Sequence, residues 1–183
     1  EVFFFFFAVR FIDGKICCIA YERNIFLEVD LLTQKIETKK LKKLEKSRAF
    51  SYHRGLFIFF QVGMRHLVVW DKKADVEKRV TYLYQKDEDS SPSFDDIIDL
   101  GYDNRFLALP HEDGFPALFS PEEEDFSAVD MLPAEFKRVQ ENNLPLFFET
   151  CSSRDGEILF LPCAGNGVLK YNGNKWDFVP VKF

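Results

Sequence analysis

Four carboxylates, three histidines and four cysteines are the side chains of this chain whose types and spacing could do chemistry. Asp95, Asp96, Asp99 and Glu149 sit in or just before apolar runs. Paired carboxylates about 5–10 Å apart hydrolyse glycosides, one acting as acid and the other as base or nucleophile. A carbohydrate-active enzyme using these groups is therefore one reading of the chain. The histidines, His53, His66 and His111, have no serine or cysteine in a strand–turn context that would complete a triad. Cys17, Cys18, Cys151 and Cys163 form no CxxC pair. Adjacent strand residues such as Cys17 and Cys18 face opposite sides and cannot serve one metal or disulfide site together. Reduced core thiols are expected, with no metal, no cofactor and no assigned catalytic residue. The segment Ala164–Gly167 reads as a hairpin turn, not a phosphate-binding loop.

Bulk properties narrow the partners. The net charge of −6 disfavours nucleic acid and anionic membranes, which need a positive field. The basic stretch Lys39–Arg48 and the acidic stretches Asp87–Asp89 and Glu122–Asp125 read as solvated surface. The apolar run Val2–Val9 is too short to span a bilayer and lacks a signal-peptide flank. A soluble chain is expected, with reduced thiols favouring the cytoplasm. It opens at Glu1, as a processed product or a piece of a longer protein would.

The elements that must position these groups come from a module written four times: Gly14 to Asp30, Gly55 to Asp71, Asn104 to Ser120 and Gly156 to Asn172. A period of about 40–50 residues marks stacked or radial repeats, whose units cannot bury their apolar faces alone. Phenylalanine, 22 of 183 residues, suits strands. Each module opens with an apolar run (Ile16–Ala20, Leu56–Phe60, Phe106–Leu109, Ile158–Leu161) fit for a strand buried on both faces. A second strand follows a short turn: Ile25–Val29, Leu67–Trp70, Ala117–Phe119 and Val168–Tyr171. Pro116 predicts a shortened third-copy strand. One strand precedes each module, at Phe3–Phe11, Ala49–Tyr52, Ile97–Tyr102 and Phe147–Cys151. A more polar strand follows each, at Lys35–Leu41, Val76–Leu83, Phe126–Leu132 and Lys175–Val181, as an outer edge should.

Asp13-Gly14-Lys15-Ile16 and the following pattern to Glu37 resemble blades of the β-propeller superfamily, of quinoprotein or kelch type. The resemblance implies an all-β fold of four four-stranded antiparallel blades, about 3–41, 49–83, 97–132 and 147–181, in one domain spanning 1–183. It implies a four-bladed ring or a fragment of a larger propeller.

In such a blade the turn between strands two and three emerges beside the link to the next blade. Length varies between modules and not within them, so the variable links share a face with Ala20–Asn24, Gln61–Arg65, Pro110–Gly114 and Pro162–Asn166. Binding groups concentrate on variable loops carried by rigid scaffolds. The candidate ligand-binding residues are Tyr21, Arg23, Arg65, His66, His111, Glu112 and Asn166, and the expected partner is a protein or a glycan. The link beginning at Pro133 has the composition of a short helix.

Overall fold

The computed structural model describes residues 6–20, 23–61, 64, 66–81, 94–101, 104–110, 116–129, 132–139, 147–152, 157–173 and 175–181. Blade 1 is the meander β1 (Phe6–Ile12), β2 (Lys15–Ala20), β3 (Ile25–Asp30) and β4 (Ile36–Lys40). Blade 2 is β5 (Ser47–His53), β6 (Leu56–Gln61), β7 (His66–Asp71) and β8 (Val76–Thr81). Blade 3 is β9 (Phe94–Asp99), β10 (Phe106–Pro110), β11 (Ala117–Ser120) and β12 (Asp125–Ala128). Blade 4 is β13 (Phe147–Ser152), β14 (Ile158–Pro162), β15 (Gly167–Tyr171) and β16 (Trp176–Pro180). Every sheet is antiparallel and made of four consecutive strands, as the modules require. β11 has four residues, two fewer than β3 or β7, because Pro116 has no N–H to extend its ladder.

The turns explain why the hairpins repeat. Asp13 and Gly14, then Arg54 and Gly55, adopt positive φ at both central positions, the left-handed pair that matches strand twist. Asn104 has φ of 56° at the matching point of blade 3. Arg54 takes the same conformation as Asp13 although its side chain offers no local hydrogen bond of the Asx kind.

Strand alternation divides each blade into a leading face, toward the previous blade, and a trailing face, toward the next. Ile16, Cys18, Leu27 and Val29 correspond by module position to Phe57, Phe59, Val68 and Trp70, to Phe106, Ala108, Ala117 and Phe119, and to Ile158, Phe160, Leu169 and Tyr171. In blades 2, 3 and 4 these leading positions are buried against the trailing positions of the blade before. Between blades 1 and 2, Phe26 is 1% exposed and meets the rings of Phe50, Phe57, Phe59 and Trp70 at centroid distances of 4.8–5.9 Å. Edge-on packing of this kind adds roughly 0.5–1.5 kcal/mol per pair beyond area burial. Glu28 on the same trailing face is buried, and Lys72 of blade 2 reaches across to pair with it.

Three interblade cores result, joining blades 1 and 2, 2 and 3, and 3 and 4. The first strands β1, β5 and β9 lie side by side and line the inner edge. Among the described residues no core joins blade 4 back to blade 1, so the arc of sheets is open.

The link after blade 3 differs from the sequence expectation. Residues 132–139 form a turn and an extended stretch, with no helix among them. Their backbone bonds instead to the β14–β15 turn: Val139 N–H to Ala164 O at 2.7 Å and Asn166 N–H to Lys137 O at 3.0 Å. Donating to and accepting from that turn satisfies groups that a lone helical turn would have to satisfy internally.

Candidate functional site

Among the described residues, the first and fourth turns between second and third strands share a face with the links that bond to them. Asn24, in the first such turn, accepts from Leu41 N–H at 2.9 Å and returns Nδ2 to Leu41 O at 3.0 Å. Asn166, in the fourth, accepts Lys137 N–H on Oδ1 and donates Nδ2 to Glu135 O, both at 2.8 Å. The links run through residues 41–46, 82–93 and 129–146, growing from blade to blade, while the first hairpin turns on the opposite face need only residues 13–14 and 54–55.

Three of the seven sequence candidates lie among the described residues, all on this link face. Arg23 is exposed in the blade 1 turn. Asn166 spends its amide on the link, so it shapes the face. His66 starts β7 on the leading side of blade 2, with Nε2 buried and without a hydrogen-bond partner. Burial, and secondarily Arg79, holds its pKa below the ordinary imidazole value, against a smaller opposing pull from Glu45. Tyr21, Arg65, His111 and Glu112 lie outside the described residues.

Beside His66 is a residue that the sequence reading passed over. Gln61 ends β6 at 4% exposure, and neither its Oε1 nor its Nε2 has a partner. Alternation puts Gln61 and His66 on the same leading side, at the link-face mouth of the crevice between blades 1 and 2. Buried polar atoms are satisfied in more than about nine cases in ten. Gln61 therefore keeps both its amide NH2 and its amide oxygen unused and enclosed inside that crevice. The signal was available: a glutamine closing an unbroken apolar strand is out of pattern.

On the opposite face, polar side chains of blades 1 to 3 bond one another. His53, its side chain 11% exposed, places Nδ1 at 2.8 Å from Asp99 Oδ2 and Nε2 at 2.9 Å from Asn104 Oδ1. Asn104 is oriented by donating Nδ2 to Glu122 at 2.9 Å, and Arg54 also donates to its Oδ1 at 3.4 Å. Tyr52 donates its hydroxyl to Asp13 at 2.8 Å. With acceptors at both ring nitrogens, His53 is a polar clamp between blades 2 and 3. Asp99, one of the four carboxylates singled out above, also accepts Gly101 N–H at 2.8 Å, so its oxygens are occupied. Along β9 the Cα atoms of Asp95 and Asp99 are about 13 Å apart at the usual strand rise. The side chains of Asp95, Asp96 and Glu149 lie outside the described residues.

Other chemistry is confined. Burial, then the Glu28 carboxylate, pushes the Cys17 thiol up to about 12, which keeps it protonated and inert. Among the described residues no three His, Cys, Asp or Glu side chains gather as a metal set, and no helix is long and apolar enough to cross a membrane. A rim cleft of about 280 Å³ opens between blades 2 and 3, floored by Leu56, Val69, Val80 and Pro121 and barred by the Lys78–Glu124 pair.

Comparison with solved structures settles the architecture. A streptogramin B lyase structure aligns with 96% of this chain and 54% of its own, at 13% identity and a TM-score of 0.69. This chain is a β-propeller arc. YCF48 bound to D1 peptide matches 98% of the arc and 54% of its own chain, at 13% identity and a TM-score of 0.62. A chain of the mitotic checkpoint complex matches 96% of it and 49% of its own, at 11% identity and a TM-score of 0.54. The arc spans about half the length of each of these chains. No family model matches the sequence, and no curated protein matches it.

Proposed function

We propose that residues 1–183 act as a non-enzymatic propeller module that binds a protein partner through the link face, at the mouth between blades 1 and 2. The observation that carries this reading is the Gln61 amide, buried with donor and acceptor both unused, beside the unpartnered Nε2 of His66. A carboxamide without a partner matches a main-chain peptide unit, which offers one N–H and one C=O. These atoms are enclosed, so an extended segment of a partner would complete those bonds by parting the mouth of the crevice, with Arg23 on the adjoining turn steering an acidic flank. YCF48 with its D1 peptide and the chain from the mitotic checkpoint complex, half of each of which this arc matches, are found with protein partners, which supports a protein over a glycan. The module serves equally as a complete arc or as a stretch of a longer propeller.

The test is a displayed peptide library panned against the purified chain, followed by affinities for the selected peptides. Gln61→Leu should weaken binding about tenfold, the worth of a hydrogen bond of about 1.4 kcal/mol. The same variant should raise Tm, because it removes a buried unsatisfied amide. Arg23→Glu should weaken acidic peptides, while Lys73→Glu on the opposite face should not. Peptides whose affinity ignores both Gln61→Leu and Arg23→Glu would overturn the reading.

A further inference from the structure

One interface inside the arc lacks the polar rim that its neighbours carry. Between blades 1 and 2, the end of the trailing face nearest the first hairpin turn holds Lys15, Glu28 and Lys35. Lys72 of blade 2 reaches over that end to pair with Glu28. The module positions equivalent to these four at the next interface are Leu56, Val69, Val76 and Pro121. Between blades 3 and 4 they are Arg105, Leu118, Asp125 and Gly173. All four are apolar between blades 2 and 3 alone, and there the sheets leave the cleft of about 280 Å³. Proline cannot reach across as lysine does, so the space that Lys72 occupies one interface earlier stays open.

The cleft is floored by hydrocarbon and edged by Ala74 and Val76, the latter 47% exposed. Its charged lining is Asp71, Lys78 and Glu124, and Lys78 and Glu124 neutralise each other at 2.8 Å. Asp71 accepts Ala74 N–H on Oδ1 at 2.9 Å and meets no cation among the described residues. One carboxylate therefore stands beside the apolar floor without a counter-charge. The exposed acidic turn of residues 122–125 alongside deepens the negative field. An apolar lining with a few placed polar groups is the usual make-up of a small-molecule site. A dry apolar cavity of about 150 Å³ takes benzene, so roughly twice that volume takes two fused rings with a short arm. We propose that this cleft binds a small hydrophobic cation, its ring system on Leu56, Val69 and Val80 and its ammonium group toward Asp71. The site lies apart from the link face and does not depend on peptide binding there.

The experiment is a methyl NMR titration of the chain with three indoles that differ in charge: tryptamine, 3-ethylindole and indole-3-propionate. Tryptamine should shift the methyls of Leu56, Val69, Val76 and Val80 saturably, and bind roughly fivefold tighter than 3-ethylindole. Indole-3-propionate should bind more weakly than either. Asp71→Asn keeps the acceptor for Ala74 N–H and removes the charge. It should bring tryptamine down to the affinity of 3-ethylindole and leave 3-ethylindole unchanged. Pro121→Lys supplies the cation found one interface earlier and should reverse the order, favouring indole-3-propionate. Val76→Trp fills the cleft from its exposed edge and should abolish binding of all three. Unchanged methyl shifts at Ile19 and Ile58 would show that each variant keeps its fold. Shifts scattered away from the cleft, tryptamine no tighter than indole-3-propionate, or affinities unaltered in a folded Val76→Trp would each refute the site.

Discussion

At the residue scale, His66 shows how position inside a blade sets chemistry. Its ring is partly withdrawn from water and sits near Arg79, so the charged form is disfavoured and its folded pKa lies below the ordinary 6.5. The unfolded chain therefore takes up a proton near pH 6.5 that the folded chain still refuses. Stability from the neutral ring is complete above that pH and is lost as pH falls through the depressed folded value. Thermal unfolding at pH 7.5 and 5.5 should show a larger drop in Tm for the native chain than for His66→Phe. Equal drops would show that the ring is not the titrating group. Carboxylates contribute to both slopes alike and cancel in the difference.

At the scale of elements, the link after blade 3 is held by close approach to one turn. Gly165 admits it: a Cβ there would meet the Phe136 ring at 2.5 Å. Asn166 then ties three backbone groups of the link, and Arg138 bridges to Gly165. Gly165→Ala should push Phe136 off the turn at a cost of about 1–3 kcal/mol. Cleavage by trypsin after Lys137 should then accelerate by roughly tenfold or more, following the local opening. An unchanged cleavage rate would mean that the link does not depend on that turn. The helix suggested by the link's composition fails for the same reason: a turn already waiting with donors and acceptors outcompetes an isolated helical turn.

For the whole molecule, the stack behaves as a line of blades coupled through nearest neighbours. Phe26 contributes to the interface of blades 1 and 2 alone, and Phe26→Ala should cost about 3–5 kcal/mol. That loss should be local. Amide exchange should rise across β1–β4 while the interface of blades 3 and 4 keeps its protection. A uniform rise through all sixteen strands would show one indivisible core instead.

Much of this was written in one dimension. Constant module length, turn residues such as Asp13-Gly14, and apolar runs from Ile16 to Leu161 determined sixteen strands in four meanders, because strand alternation and turn geometry act over a few residues. The sharing of one face by links and second turns followed from strand parity alone. Only the tertiary structure decided that His53 clamps Asp99, 46 positions away, that Asn166 fastens a link, and that Gln61 and His66 stand unpartnered side by side. Those facts depend on how sheets lie on one another, and side chains that meet across an interface leave no periodic trace along the chain.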